Sequence, residues 1–157
     1  MPSNVTAKIR SALKQRETVT LLLTAAVFTV AVFGFQHMAG RERKMTVGGH
    51  AYTLEVATSS AQQDRGLSGR KNLAKDKGML FIFKAEDKHC FWMKDMQFPL
   101  DIIWLDGERR VVHVERNVSP DTYPNAICPS EKAVFVIELN AGQSSEAGIL
   151  EGQVVTF

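Results

Sequence analysis

The sequence predicts a mainly β fold of the α+β class: a small β-barrel or sandwich with one or two short helices, preceded by one N-terminal transmembrane helix. Three observations predict it. Past residue 45 the apolar residues come in short runs separated by Gly, Pro, Asn and Asp, which is the pattern of brief strands and turns. Helical signals interrupt that pattern in only two places, near residues 60–65 and within 142–152. Residues 18–40 contain no Asp, Glu, Lys or Arg. As a helix rising ~1.5 Å per residue they extend about 34 Å, enough for a hydrocarbon core of about 30 Å.

Basic residues flank this apolar segment: Lys8, Arg10, Lys14 and Arg16 before it, Arg41, Arg43 and Lys44 after it. The bias favours a cytoplasmic N-terminus, although four against three is a small margin. A cleaved signal peptide is the rival, and it needs small residues near the cut. A cut after Ala39 places His37 at the −3 position, which is poor, and a cut after Gly34 places Val32 there, which is passable. A buried soluble helix is disfavoured because the segment has no polar face. The organisation read here is a cytoplasmic tail (1–17), a membrane signal anchor (18–40), a basic linker (41–44) and an extracytoplasmic domain (45–157) at the cell membrane.

Charge follows the same division. Residues 1–44 hold seven Lys/Arg against two acids, and residues 45–157 hold twelve against fifteen. The basic excess lies where it faces anionic headgroups. No basic stripe marks the domain, so a nucleic-acid partner is not expected.

Within the domain, Tyr52, Leu54 and Val56 alternate with Thr53 and Glu55 as a half-buried strand does. Gly48 and Gly49 turn it back on residues 45–47 as a hairpin. Ser59 and Gln62 have capping-box spacing, so a short helix runs over 60–65 and stops at Gly66 or Gly69. Residues 78–83 form an apolar run suited to a strand buried on both faces. Residues 90–94 are a further strand candidate. Residues 100–105 and 111–118 flank the turn dipeptide Asp106-Gly107. Residues 119–129 read as a loop, 133–140 as a strong strand, 142–152 as a turn with a helical fragment, and 154–157 as a short closing strand.

Two features of the domain bear on function. Cys90 and Cys128 are an even pair, which in an oxidising compartment invites a disulfide; the alternative is two buried thiols that never meet. In residues 89–105 (HCFWMKDMQFPLDIIWL), Lys94, Asp95 and Asp101 interrupt an apolar stretch. Asp101 starts a strand face that is otherwise core, and a carboxylate there needs donors. Lys94, Arg65, Arg70 and the backbone N–H groups near Pro99 are candidates. Glu138 is similar, following Val134 and Val136 on one face of its strand. One reading is structural: acids and bases at strand ends pair there, and Trp with Met makes core. The other is a pocket with Trp92 as a flat wall and Lys94 and Arg70 holding an anionic or polar ligand.

Motifs of well-known chemistry are absent. There is no G-x-S-x-G elbow, phosphate-binding Gly loop, H-E-x-x-H, dinucleotide fingerprint or C-x-x-C. His89, Cys90, His113 and Cys128 could supply four metal ligands, but their spacing carries no signature. A Cys nucleophile with His89 or His113 as base fits poorly with an oxidising compartment. Neither a metal nor a cofactor is expected.

The blocks RGLSGR (65–70), GMLFIF (78–83), FWMKDM (91–96) followed by PLDIIWL (99–105), and VIELNAG with GILEGQVVTF at the end resemble the domain-of-unknown-function 192 family, also called uncharacterised protein family 0127. The resemblance covers residues 45–157 and leaves out the anchor. It implies a small exported or membrane-tethered domain, largely β, and no established reaction. Members usually carry Met where this chain has Ser68, and Asn-Thr where it has Asp95-Met96. The resemblance strengthens the grouping of Arg65, Arg70, Trp92, Lys94 and Asp101.

Three functions follow from this reading. The first is a non-catalytic module for a small molecule or an envelope protein, with Arg65, Arg70, Trp92, Met93, Lys94 and Asp101 around one depression. The second is an envelope-associated hydrolase using Asp101, Asp95 or Glu138 as general acid or base. The third is a structural subunit of an envelope complex, marked by an exposed apolar patch without a pocket.

Overall fold

In the computed structural model, residues 41–157 are described. The tail (1–17) and the anchor (18–40) lie outside the described residues, and among the described residues no helix is long and apolar enough to cross a membrane.

Six strands make one open sheet. In chain order they are β1 (Glu42–Val47), β2 (His50–Ala57), β3 (Lys77–Asp87), β4 (Leu100–Leu105), β5 (Val111–Val118) and β6 (Ala133–Asn140), and their order across the sheet is β1-β2-β3-β6-β4-β5. The β1 strand begins inside the stretch read as a basic linker. Among the described residues two α-helices accompany the strands, α1 (Ser60–Arg65) and α2 (Gln143–Glu146), together with a 3-10 turn at Pro120–Thr122 inside the predicted loop.

All neighbours are antiparallel except β2 and β3, which are parallel and joined by a crossover that carries α1. The helix starts as its sequence requires: the Ser59 hydroxyl accepts from the Gln62 N–H, and Gln62 Oε1 accepts from the Ser59 N–H at 3.1 Å. It stops at Gly66, whose φ of 50° suits glycine. Six residues are too few for a stable isolated helix. Gln63 Nε2 ties this one down, donating to Ile82 O at 2.9 Å, and Leu67 is buried just beyond its end.

The sheet buries both faces. One core gathers Leu54, Leu80, Ile103, Leu105, Ile137 and Leu139 with residues near the chain end such as Ile149 and Val155. The other gathers Met79, Phe81, Met93, Leu100, Ile102, Trp104 and Val136 with Leu67. Alternation along each strand produces this split. In β4, Leu100, Ile102 and Trp104 belong to the second core, and Ile103 and Leu105 to the first. Gly78 sits where β2, β3 and β6 press together: a Cβ there would come within 2.6 Å of Glu138 O.

The expected barrel or sandwich is corrected to this open sheet. The final residues, expected as a strand, make only isolated bridges, Thr156 to Thr46 and Val154 to Arg110, which are too few for a ladder. Residues 90–94 are also not a strand. Only Phe91 bridges, to Ile127, and the chain then turns through Asp95, whose φ of 56° is incompatible with extended pairing.

Candidate functional site

A cleft of about 560 Å³ opens on the second-core side of the domain. One wall is α1 and the turn after it, including Ser60, Asp64, Arg65, Gly66 and Leu67; the other is residues 88–92 with Met96; Phe83, Ala126 and Glu138 complete it.

Both walls are fastened. The disulfide Cys90–Cys128 joins the second wall to the loop before β6, and Phe91 and Ile127 exchange two backbone hydrogen bonds of 2.8 and 2.7 Å beside it. Trp104 Nε1 donates to His89 O at 2.7 Å. The His89 ring stacks on Phe83 with centroids 3.6 Å apart, and its Nε2 contacts Ala85 O at 3.0 Å, so that nitrogen carries the proton. Phe91 meets Phe81 edge-on at 4.9 Å and Trp104 at 5.9 Å. The walls are also tied to each other, since Ser68 Oγ donates to Lys94 O (2.8 Å) and Gly69 N–H to Asp95 O (2.9 Å). Asp and Asn tolerate the left-handed region better than other side chains. That preference gives Asp95 a backbone reason.

Glu138 is the chemically unusual residue. It lies on β6 between Met79 of β3 and Ile102 of β4, directly opposite both, and is only 6% exposed. Its Oε2 has no hydrogen-bond partner among the described residues. Burial raises its pKa to about 8, against a smaller lowering by the Arg70 charge. At neutral pH it is a neutral carboxylic acid, able to donate one hydrogen bond and accept others. Gly66 packs beside it: a Cβ there would lie in ordinary contact, 3.8 Å from Glu138 Oε2 and 3.4 Å from Phe81 Cζ.

The residues grouped from sequence separate. Arg65 and Trp92 line the cleft, and Trp92 is 54% exposed, edge-on to Tyr123 at 6.5 Å. Met93 is buried in the second core. Lys94 is exposed and outside the cleft lining. Arg70 forms a two-pronged ion pair with Glu55, at 2.6 and 2.8 Å, which raises the arginine's pKa and lowers the glutamate's through their hydrogen bond.

Asp101 lies on the opposite face of the sheet from Glu138. Its donors are none of the expected cations. Oδ1 accepts from Asn117 N (2.9 Å), and Oδ2 accepts from Ser144 N (2.8 Å) and Ser144 Oγ (2.7 Å). The strands pair Leu100 with Val118 but Ile102 with Glu115, so β5 bulges here, and Asp101 satisfies an N–H that the bulge frees.

The sequence singled out Glu138 as an acid on a core face but did not join it to the site. Its alternation with Val134 and Val136 was the available signal. His89, Cys90, His113 and Cys128 do not make a metal site: both sulfurs are in the disulfide, and among the described residues no group of three or more His, Cys, Asp or Glu is placed to hold a metal ion.

Residues 43–157 match the model of the DUF192 family, described as Uncharacterized ACR. The chain belongs to the DUF192 family. No curated protein matches it. Two solved structures share the fold of this DUF192 domain. A protein of unknown function from Novosphingobium aromaticivorans is 31% identical with a TM-score of 0.71, covering 76% of this chain and 88% of its own. A protein described as a putative transcription regulator from Sinorhizobium meliloti is 29% identical with a TM-score of 0.67, covering 73% and 92%.

Proposed function

We propose that this DUF192 protein is a non-catalytic ligand-binding module of the cell envelope, held at the membrane by residues 18–40 with its domain on the extracytoplasmic side. The observation that carries the binding role is the unpartnered, buried Glu138 carboxyl at a cleft of about 560 Å³ with an exposed tryptophan on its wall. That volume falls in the usual range for small-molecule sites, and an apolar lining with a few convergent polar groups is their usual composition. A buried polar atom without a partner is costly and asks for an explanation, which a ligand supplies. The disulfide supports an oxidising compartment. A role on nucleic acid, suggested by the label of the Sinorhizobium meliloti neighbour, finds no support in twelve Lys/Arg against fifteen Asp/Glu over residues 45–157.

One observation favours a second reading. An acid with a pKa of about 8 in a cleft is suited to general-acid chemistry, which makes Glu138 the carboxyl to test in a hydrolase. Asp101 is committed to the backbone N–H groups of Asn117 and Ser144 and to the Ser144 hydroxyl, and Asp95 is an exposed turn residue.

Mass spectrometry of molecules co-purifying with the detergent-extracted chain tests the binding role. Wild type is expected to carry a companion that the Trp92→Ala, Glu138→Leu double variant loses. Identical companions on both refute the site. Turnover of envelope material that disappears in Glu138→Gln establishes the hydrolase instead.

A further inference from the structure

The chemistry of the cleft narrows the class of molecule it takes, given that it binds one. We infer that the site accepts an organic anion: a carboxylate that receives a hydrogen bond from Glu138, carried on an apolar body lying against Phe91 and Trp92.

Three observations support this class. The first is the orphan oxygen at the cleft. Glu138 is 94% buried by its 6% exposure, and its Oε2 has no partner among the described residues. A neutral carboxylic acid in an apolar site is a hydrogen-bond donor looking for an acceptor, and a carboxylate is the strongest acceptor among common organic groups. The second is the charge around the opening. Arg65 and Lys88 line the cleft, and neither makes an ion pair among the described residues. Asp64 is the one acid that lines it besides Glu138, so an anion meets two cations against one carboxylate. The third is the wall. Phe91 is fixed edge-on to Phe81 and Trp104, whereas Trp92 is more than half exposed, leaving apolar surface for the rest of the ligand.

An ammonium ligand is the natural competitor, since aromatic walls around a carboxylate attract cations. It would require Glu138 to be ionised before it arrived, in surroundings that favour the neutral acid, and it would have to pass Arg65 and Lys88. The two classes differ in the sign of their pH dependence. An anion that accepts from Glu138 binds best below the pKa of about 8 and loses about tenfold between pH 6 and pH 9 as the donor ionises. An ammonium gains over the same interval.

Other charged and titratable groups surround Glu138: Arg70, already paired with Glu55; Asp64 and Arg65 on α1; and Lys88 and His89 on the second wall. From β3 and β4 the neighbours are apolar, Met79, Phe81 and Ile102. The Glu138→Gln variant keeps all of these and removes only the acid, so the pH dependence it abolishes belongs to Glu138.

The test titrates the detergent-solubilised full chain with 3-phenylpropionate, 3-phenylpropionamide and 3-phenylpropylamine. These are a carboxylate, a neutral carbonyl and an ammonium on one apolar body. Binding is followed by tryptophan fluorescence, with near-ultraviolet circular dichroism confirming that each variant is folded. The carboxylate is expected to bind tightest at pH 6 and about tenfold more weakly at pH 9. In Glu138→Gln, whose amide can also donate, the fall with pH should vanish while affinity at pH 6 stays within about threefold. The Arg65→Glu, Lys88→Glu double variant should weaken the carboxylate severalfold and leave the amide unchanged. Tighter binding of the amine, rising with pH, overturns the anion class and leaves the cleft as a site. Equal binding of amide and carboxylate, unaffected by the double variant, does the same. Failure of all three probes in the millimolar range overturns the anion class, and the binding role is then decided by the co-purification comparison.

Discussion

Glu138 places an acid where β3, β6 and β4 would otherwise bury an apolar side chain, and the domain loses stability for it. Burial shifts its pKa from 4.5 to about 8, so between those values the folded state holds a proton that the unfolded chain has released. A group bound more tightly by a proton in the folded state makes stability fall as pH rises through that window. Wild type should therefore be most stable near pH 5 and lose several kcal/mol by pH 9, at ~1.4 kcal/mol per pKa unit. Urea unfolding at a series of pH values measures this, and Glu138→Gln should flatten the profile and exceed wild type at pH 9. A flat wild-type profile would mean that Oε2 finds a partner in solution and that the acid is not held neutral. At the same scale, Gly66 is defined by its surroundings: it ends α1 with a positive φ and lies beside the Glu138 carboxyl. The sequence showed the glycine and the acid separately. Their apposition depends on how the crossover returns to the sheet.

Among the elements, the smallest depend most on single side chains. Helix α2 has four residues and no side-chain cap of its own, with Gly142 at its N-cap. What holds it is Asp101, which accepts from both the N–H and the hydroxyl of Ser144 while also satisfying the Asn117 N–H at the β5 bulge. Asp101→Ala would strand the N–H and hydroxyl of Ser144 in a fully buried place, and a buried unsatisfied polar group costs about 1–3 kcal/mol. The expected result is a loss of about 2–4 kcal/mol in chemical denaturation, with ligand affinity of the folded protein unchanged because Asp101 is on the other face of the sheet from the cleft. A selective loss of binding without loss of stability would return Asp101 to the site. The helix α1 was readable from Ser59, Gln62 and Gly66 because capping is a local matter of three or four residues. The misassigned strand at 90–94 has the opposite explanation: its apolar composition is real, but Phe91 packs on Phe81 and Trp104 and Met93 enters the second core from a loop.

For the molecule as a whole, the Cys90–Cys128 bridge fastens one wall of the cleft to the chain leading into β6, closing a loop of 38 residues. Cross-links of this kind stabilise a fold by about 2–4 kcal/mol, chiefly through the unfolded chain. The Cys90→Ser, Cys128→Ser variant should unfold at correspondingly lower urea concentration, and reductant should shift wild type toward it; coincident curves would show that the second wall is held by its aromatic contacts alone. Most of the architecture was legible in the chain. Alternation in 50–57 and 100–105, the Gly48-Gly49 and Asp106-Gly107 turns and the capping box are periodic or local signals, and they identify the strands, the hairpins and α1. The two faces of β4 were legible for the same reason, since side chains alternate strictly along a strand. The sequence by itself also carries the apolar segment at 18–40, the charge contrast between the two parts of the chain and the family blocks. Strand order, the open edges of the sheet and the membership of the site were decided only in three dimensions. Asp101 and Glu138 are both acids on core faces, yet strand pairing sends one to donors on α2 and at the β5 bulge and the other to an aromatic cleft without a partner among the described residues. What a buried charge does is set by the donors that come within reach, and those come from residues dozens of positions away.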